Sequence, residues 1–267
     1  MSLERYQISV VFRTIGVLIV AGLLWYSPYS PFAMPLADTL YGQGKTSEAL
    51  ARYDRISKSS TLPQIRQAAL HRSARIWAVA LGNSEESRKR LKELLPLTTD
   101  PEALSALHER LAWLDLGDQG LRSAARHFER AYTVGLHLPE APERLLKAAQ
   151  LRTQLEHVSW AETLWMELEN EYDAYANIAR IGHGELLLRT GDPQGALLMY
   201  ERVSDVDFID DLDLHAMANL GSMTCLERLG DLTQAIAALD GADLREDIDL
   251  LRRQSLQERK SVVIGAM

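Results

Sequence analysis

The chain has 267 residues, 46% hydrophobic and 25% charged, the balance of a folded, core-forming protein rather than of a disordered one. A net charge of −8 argues against a nucleic-acid scaffold. The single cysteine, Cys225, excludes an internal disulfide framework and any multi-cysteine zinc or iron-sulfur centre, and inside a helical pattern it reads as a small buried apolar residue.

Aromatics are sparse at 7% while Ala and Leu dominate. These residues lose little rotamer freedom in a helix, so the expected class is all-α. Charge is unevenly spread: residues 1–160 hold 20 Lys and Arg against 16 Asp and Glu, whereas residues 161–267 hold 9 against 21. An acidic C-terminal half would steer a basic partner or repel an anionic membrane, and solvated helix faces alone produce the same skew.

Residues 1–7 precede "ISVVFRTIGVLIVAGLLWY", residues 8–26, where Arg13 is the one charge. A helix of that length, at about 1.5 Å per residue, nearly spans a hydrocarbon core of about 30 Å, so residues 8–27 are expected to form one transmembrane signal anchor. Arg13 can snorkel to the headgroups, and Trp25 and Tyr26 fall where an interfacial aromatic belt sits. Arg5 and Arg13 flank the near end and no Lys or Arg follows until Lys45, which predicts an N-in topology with the remainder exported, in a bacterium to the periplasm. A cleavable signal peptide is the rival, since the uninterrupted run from Thr14 to Tyr26 is short, but "SPYSPFAMPLA" offers no small-x-small cleavage site. Pro28, Pro31 and Pro35 make residues 28–36 an extended linker.

Residues 37–242 repeat. "LLLRTGDPQGALLMYERV" at 186–203 returns in kind as "CLERLGDLTQAIAALDGA" at 225–242, and six related units place their turns at Gly44, Gly82, Gln119, Glu156, Gly191 and Gly230. The steps of 38, 37, 37, 35 and 39 residues suit two helices and two short turns. Glycine ends a first helix because a left-handed C-cap costs it nothing; Asp192 and Asp231 can cap the second helix, and Pro193 suits its first turn. Five residues past each turn stand Ala49, Ser87, Ala124, Ala161, Ala196 and Ala235, where two helices must approach closely. Four residues on, Tyr53, Leu91, Phe128, Trp165, Tyr200 and Leu239 return to that face, followed by Ile56, Leu94, Ala131, Leu168, Val203 and Ala242.

This small-then-large pattern resembles the tetratricopeptide repeat, most closely in the units around Gly44, Gly191 and Gly230. The resemblance implies a right-handed solenoid of about six helical hairpins, each burying its apolar face against the next. Residues 243–260, "DLREDIDLLRRQSLQERK", read as a polar capping helix, and residues 261–267 as a tail that frays or adds to a partner.

Searching for chemistry returns no phosphate-binding loop, dinucleotide fingerprint, His-Glu-x-x-His or Gly-x-Ser-x-Gly, so no catalytic residue, metal ligand or cofactor is expected. The seven histidines are assigned to helix surfaces or packing. The acidic run at 204–215, "SDVDFIDDLDLH", lacks the spacing and mid-loop glycine of a calcium loop and suits the start of a helix instead. Trp160 and Trp165 are expected in the core.

By the resemblance, first helices line an inner groove that accepts a peptide or helix. The unit register puts Arg72, Ile76, Glu109, Trp113, Leu146, Gln150, Ile181, Glu185, Leu220 and Thr224 on that side, with Arg189 nearby. The same residues also read as contacts that only stabilise neighbouring units. The expected function is a non-enzymatic, membrane-anchored adaptor or assembly factor that binds a protein partner and contacts lipid through its first helix. Its alternatives are a structural subunit of a larger membrane complex and an accessory that presents apocytochromes for haem attachment.

Overall fold

The computed structural model describes residues 33–204, 212–231, 233–235, 237 and 238. Every regular element among them is helical. The expected transmembrane segment at 8–27, with Arg13, Trp25 and Tyr26, lies outside the described residues, as do the capping helix, the tail, Leu239, Ala242 and most of the acidic run at 204–215. Among the described residues no helix is long and apolar enough to cross a membrane.

The chain divides into two compact units, residues 1–114 and 115–267. In the first, α1 (Ala33–Gly42) and α2 (Thr46–Ser59) form a hairpin, and α3 (Pro63–Arg75) packs on α2. Helix α1 begins inside the stretch expected as a linker, because Ala33 and Ala37 sit one turn apart on a face that meets Tyr53, Ile56 and Ala69. Across this packing the Tyr53 hydroxyl donates to Asp38 Oδ1 at 2.5 Å, and Arg72 Nη1 donates to Asp38 Oδ2 at 2.7 Å. Burial, with Asp38 beside it, pushes the Tyr53 phenol well above its ordinary range. Helix α3 runs on as a π-helical turn, Ile76–Ala80. Next, α4 (Ser84–Leu94) starts on Asn83, whose side chain accepts from Glu86 N, and packs with the start of α5 (Pro101–Gly117) through Leu70, Ala74, Leu91, Leu94, Leu107 and Leu111.

The second unit opens within α5 and continues with α6 (Leu121–Val134), α7 (Ala141–Gln154), α8 (Val158–Glu171), α9 (Ala176–Thr190), α10 (Pro193–Ser204) and α11 (Leu212–Leu229). Helix α7 packs on α6 and α8, α9 on α8 and α10, and α11 on α10. Arg152 of α7 is almost fully buried and holds these layers together. Its Nε and Nη2 grip Glu129 of α6 at 2.5 and 2.9 Å, its Nη1 lies 2.9 Å from His157 Nδ1, and its guanidinium stacks 3.8 Å from the Trp160 ring centroid. A planar fork suits this two-point grip, which a point-charge lysine would not reproduce.

The repeat register appears residue by residue. All six expected turn positions have positive φ, between 56° and 89°, including the non-glycine Gln119 and Glu156. The small positions Ala49, Ala124, Ala161, Ala196 and Ala235 are completely buried, and the large ones from Tyr53 to Tyr200 nearly so. Asp192 and Asp231 accept from Gly195 N and Gln234 N as N-caps. Cys225 is buried, and burial pushes its thiol up to about 11. One core assignment is corrected: Trp165 is buried, but Trp160 is half exposed, because it flanks the packing face and its ring covers Arg152 instead.

Candidate functional site

Hairpins that pack through small residues leave spaces between their first helices, and among the described residues both units hold such a groove. In the second unit α7, α9 and α11 border a recess of about 370 Å³. Gln150, Thr153, Gln154, Glu185 and Arg189 supply its polar lining, and Ile178, Ile181, Leu214 and Met217 its apolar lining. Trp165 also lines it, fixed where its Nε1 donates to Thr153 Oγ1 at 3.0 Å. Gly182 makes that placement possible, since a Cβ there would come within 2.4 Å of the indole. Arg189 leans towards Glu156, 3.7 Å away, beside a smaller recess of about 330 Å³. Acid, base, amide and apolar groups thus share one surface.

In the first unit two adjoining recesses of about 450 and 390 Å³ lie between α3 and α5 and share His71 and Arg110. Arg110 Nη1 donates to His71 Nε2. Burial, then the charges of Arg110, Arg75 and Arg72, lower the His71 pKa below its ordinary 6.5, which keeps the imidazole neutral and able to accept that bond. Arg75, Ala78, Val79 and Trp113 complete one end, with Val79 strongly exposed and Trp113 half exposed. Gln64, Gln67, Thr98 and Ala106 line the other end, where Gln67 Nε2 donates to Leu97 O.

The sequence-expected groove residues divide accordingly. Gln150, Ile181, Glu185 and Arg189 meet in the second unit's recess, and Trp113 lines the first unit's. Ile76 instead joins the core with α1 and α2, and Arg72 is tied to Asp38, because that face of α3 meets the preceding hairpin. Glu109 is half-buried in α5 and lines neither recess. Leu146 is half-buried in α7, Leu220 packs on the Ala216–Met223 core, and the Thr224 hydroxyl donates to Leu220 O within its own helix. Sequence reasoning passed over His71, Arg75, Val79 and Arg110. Their signal was present: His71, Arg75 and Val79 recur at four-residue steps, one position away from the face chosen.

Among the described residues no cluster of His, Cys, Asp and Glu is arranged to hold a metal ion. His183 is buried with neither ring nitrogen hydrogen-bonded, and burial lowers its pKa below 6.5 against the pull of Glu162 and Glu169.

Residues 181–249 match a family profile described as tetratricopeptide repeat. A search of curated proteins gave no match. Among solved structures the chain is similar to YrrB, described as a TPR protein with an unusual peptide-binding site, at 17% identity and a TM-score of 0.50 over 74% of this chain and 90% of that one. It is also similar to yeast Tom70, at 18% identity and a TM-score of 0.51, covering 88% of this chain and 47% of that one. A third similarity is to Naa15/Naa10 bound to HypK-THB, at 14% identity and a TM-score of 0.52, covering 88% of this chain and 33% of that one. Against these last two the chain spans less than half of the other's length. Residues 181–249 are thus similar to tetratricopeptide-repeat sequence, and the described helices have the all-helical fold of tetratricopeptide-repeat proteins.

Proposed function

We propose that this protein is a non-catalytic docking module that holds a peptide or helical segment of a partner protein against its first helices. The observation that carries this reading is the pair of preformed grooves, each within the size range of ligand-binding recesses and each lined by both apolar and hydrogen-bonding side chains. Rigid helices on both sides of a groove lower the entropy lost on the receptor when a ligand is ordered. YrrB, similar in fold over most of both chains, is described as having a peptide-binding site, which supports the same use. In this reading residues 8–27 tether the module to a bacterial inner membrane with the repeats in the periplasm, and the tether raises the effective concentration of membrane-bound partners.

A photo-crosslinking amino acid at Trp113 or Glu185 tests the docking role in living cells. Discrete adducts are expected from those positions, with none from Lys58 or Glu201, which are exposed on second helices. Adducts from Lys58 or Glu201 alone would move the contact to the opposite helices and favour a structural subunit. Separately, a reporter fused after Met267 is expected to be active in the periplasm; activity only in the cytoplasm overturns the topology.

A further inference from the structure

Resting on that docking role, the geometry points to the α3–α5 groove as the seat of an acidic, apolar segment of a partner protein, with carboxylates set beside Leu-, Phe- or Trp-like side chains. None of the residues lining its two recesses is Asp or Glu. Arg75 and Arg110 border the same recess, and both are exposed. Among the described residues the Arg75 side chain makes no hydrogen bond or ion pair, and Arg110 spends one donor on a neutral imidazole, which leaves its charge uncompensated. Val79 and Trp113 stand exposed beside these cations, with Leu91 and Ala74 buried beneath.

Such a surface selects by sign. A carboxylate between the arginines gains charge-assisted hydrogen bonds, which are stronger than neutral ones. An adjacent apolar side chain covers Val79 and packs on the Trp113 ring, removing apolar area from water. A basic segment meets two unmatched cations, a repulsion that works as specificity. The α7–α9–α11 recess, with Glu185 and Arg189 together, has no such bias.

The test is panning a random twelve-residue phage-displayed peptide library on the full chain in mild detergent, beside the variant Arg75→Glu/Arg110→Glu. The expected peptides place Asp or Glu next to Leu, Phe or Trp, and one made synthetically binds the wild type about tenfold more tightly than the variant, with affinity falling as salt rises. Enrichment of basic or neutral peptides, or of acidic ones that bind the variant equally, overturns this assignment and leaves the docking role standing. No enrichment of any peptide removes both. Circular dichroism checks that the variant keeps its helices, and should charge reversal disturb them, Arg75→Gln with the same peptide gives the same decision.

Discussion

The two grooves are products of one repeat and differ in what holds them and in what they display. The wall of the second unit's groove is fixed by Arg152, buried and bonded at two points to Glu129, and its lining mixes both signs of charge. In the first unit the corresponding helix, α3, is tied by the half-exposed pair Arg72–Asp38, ends in a π turn, and lines a groove whose only charged lining residues are the cations Arg75 and Arg110. Alanines and left-handed turns set the backbone of both, while the neighbouring wheel positions set the groove lining. Helix packing and groove lining are therefore written on different faces of the same helices.

The sharpest way to break this comparison is to cut the two ties. Arg152→Ala leaves Glu129 without its partner among buried side chains and is expected to cost about 3–5 kcal/mol. Arg72→Ala, with side chains 43% and 41% exposed in its pair, is expected to cost no more than about 1 kcal/mol. Urea denaturation measures both, and equal costs would erase the distinction between a buried and an exposed tie.

A smaller effect is expected from Ala196→Leu. Ala196 is wholly enclosed between α9, α10 and α11, so the added atoms should overpack the second unit by about 1–3 kcal/mol. An unchanged melting temperature would mean that this position does not set the approach of the helices.

Acid should act on both units, through His71 in the first and His183 in the second, since burial lowers both pKa values below 6.5. In the unfolded chain these imidazoles take up protons near that value while the folded ones remain neutral. The unfolded state then binds more protons, so stability is full above about pH 6.5, falls as the solution is acidified from there towards the folded pKa values, and levels off below them. His183→Leu is expected to shrink the drop in denaturation midpoint between about pH 7.5 and about pH 5.5. A variant that loses as much as the wild type would show that His183 is not one of the responsible groups.

The smallest expected change is a gain. Gln119 holds a left-handed conformation, at φ 61°, that glycine holds at four other turns, so Gln119→Gly should stabilise the chain by up to about 1 kcal/mol. A loss of stability would indicate that the glutamine makes contacts that outweigh the backbone strain.

Much of the fold could be read from the chain because hairpin stacking depends on local spacing. Ala124 and Phe128 had to be four residues apart to share a face, and a turn after α7 had to fall near Glu156 for Ala161 and Trp165 to meet their neighbours. The groove was legible only in part. Gln150, Ile181, Glu185 and Arg189 converge as the repeat register implied, whereas Ile76 turned to the core and Arg75 took the groove, because the face of α3 that meets α1 lies one residue away from the face that meets the cavity.

From the sequence by itself came the helical class, the positions of six turns and the small and large packing residues, since these follow from backbone sterics and from periodicity along one chain. Tertiary structure alone decided that Arg152 reaches Glu129, that Trp160 stays at the surface over a buried guanidinium, and that His71, Arg75 and Arg110 gather beside Trp113. Those contacts join residues on different helices, and the rotation of each helix about its own axis is fixed by packing against neighbours rather than by anything local to its sequence.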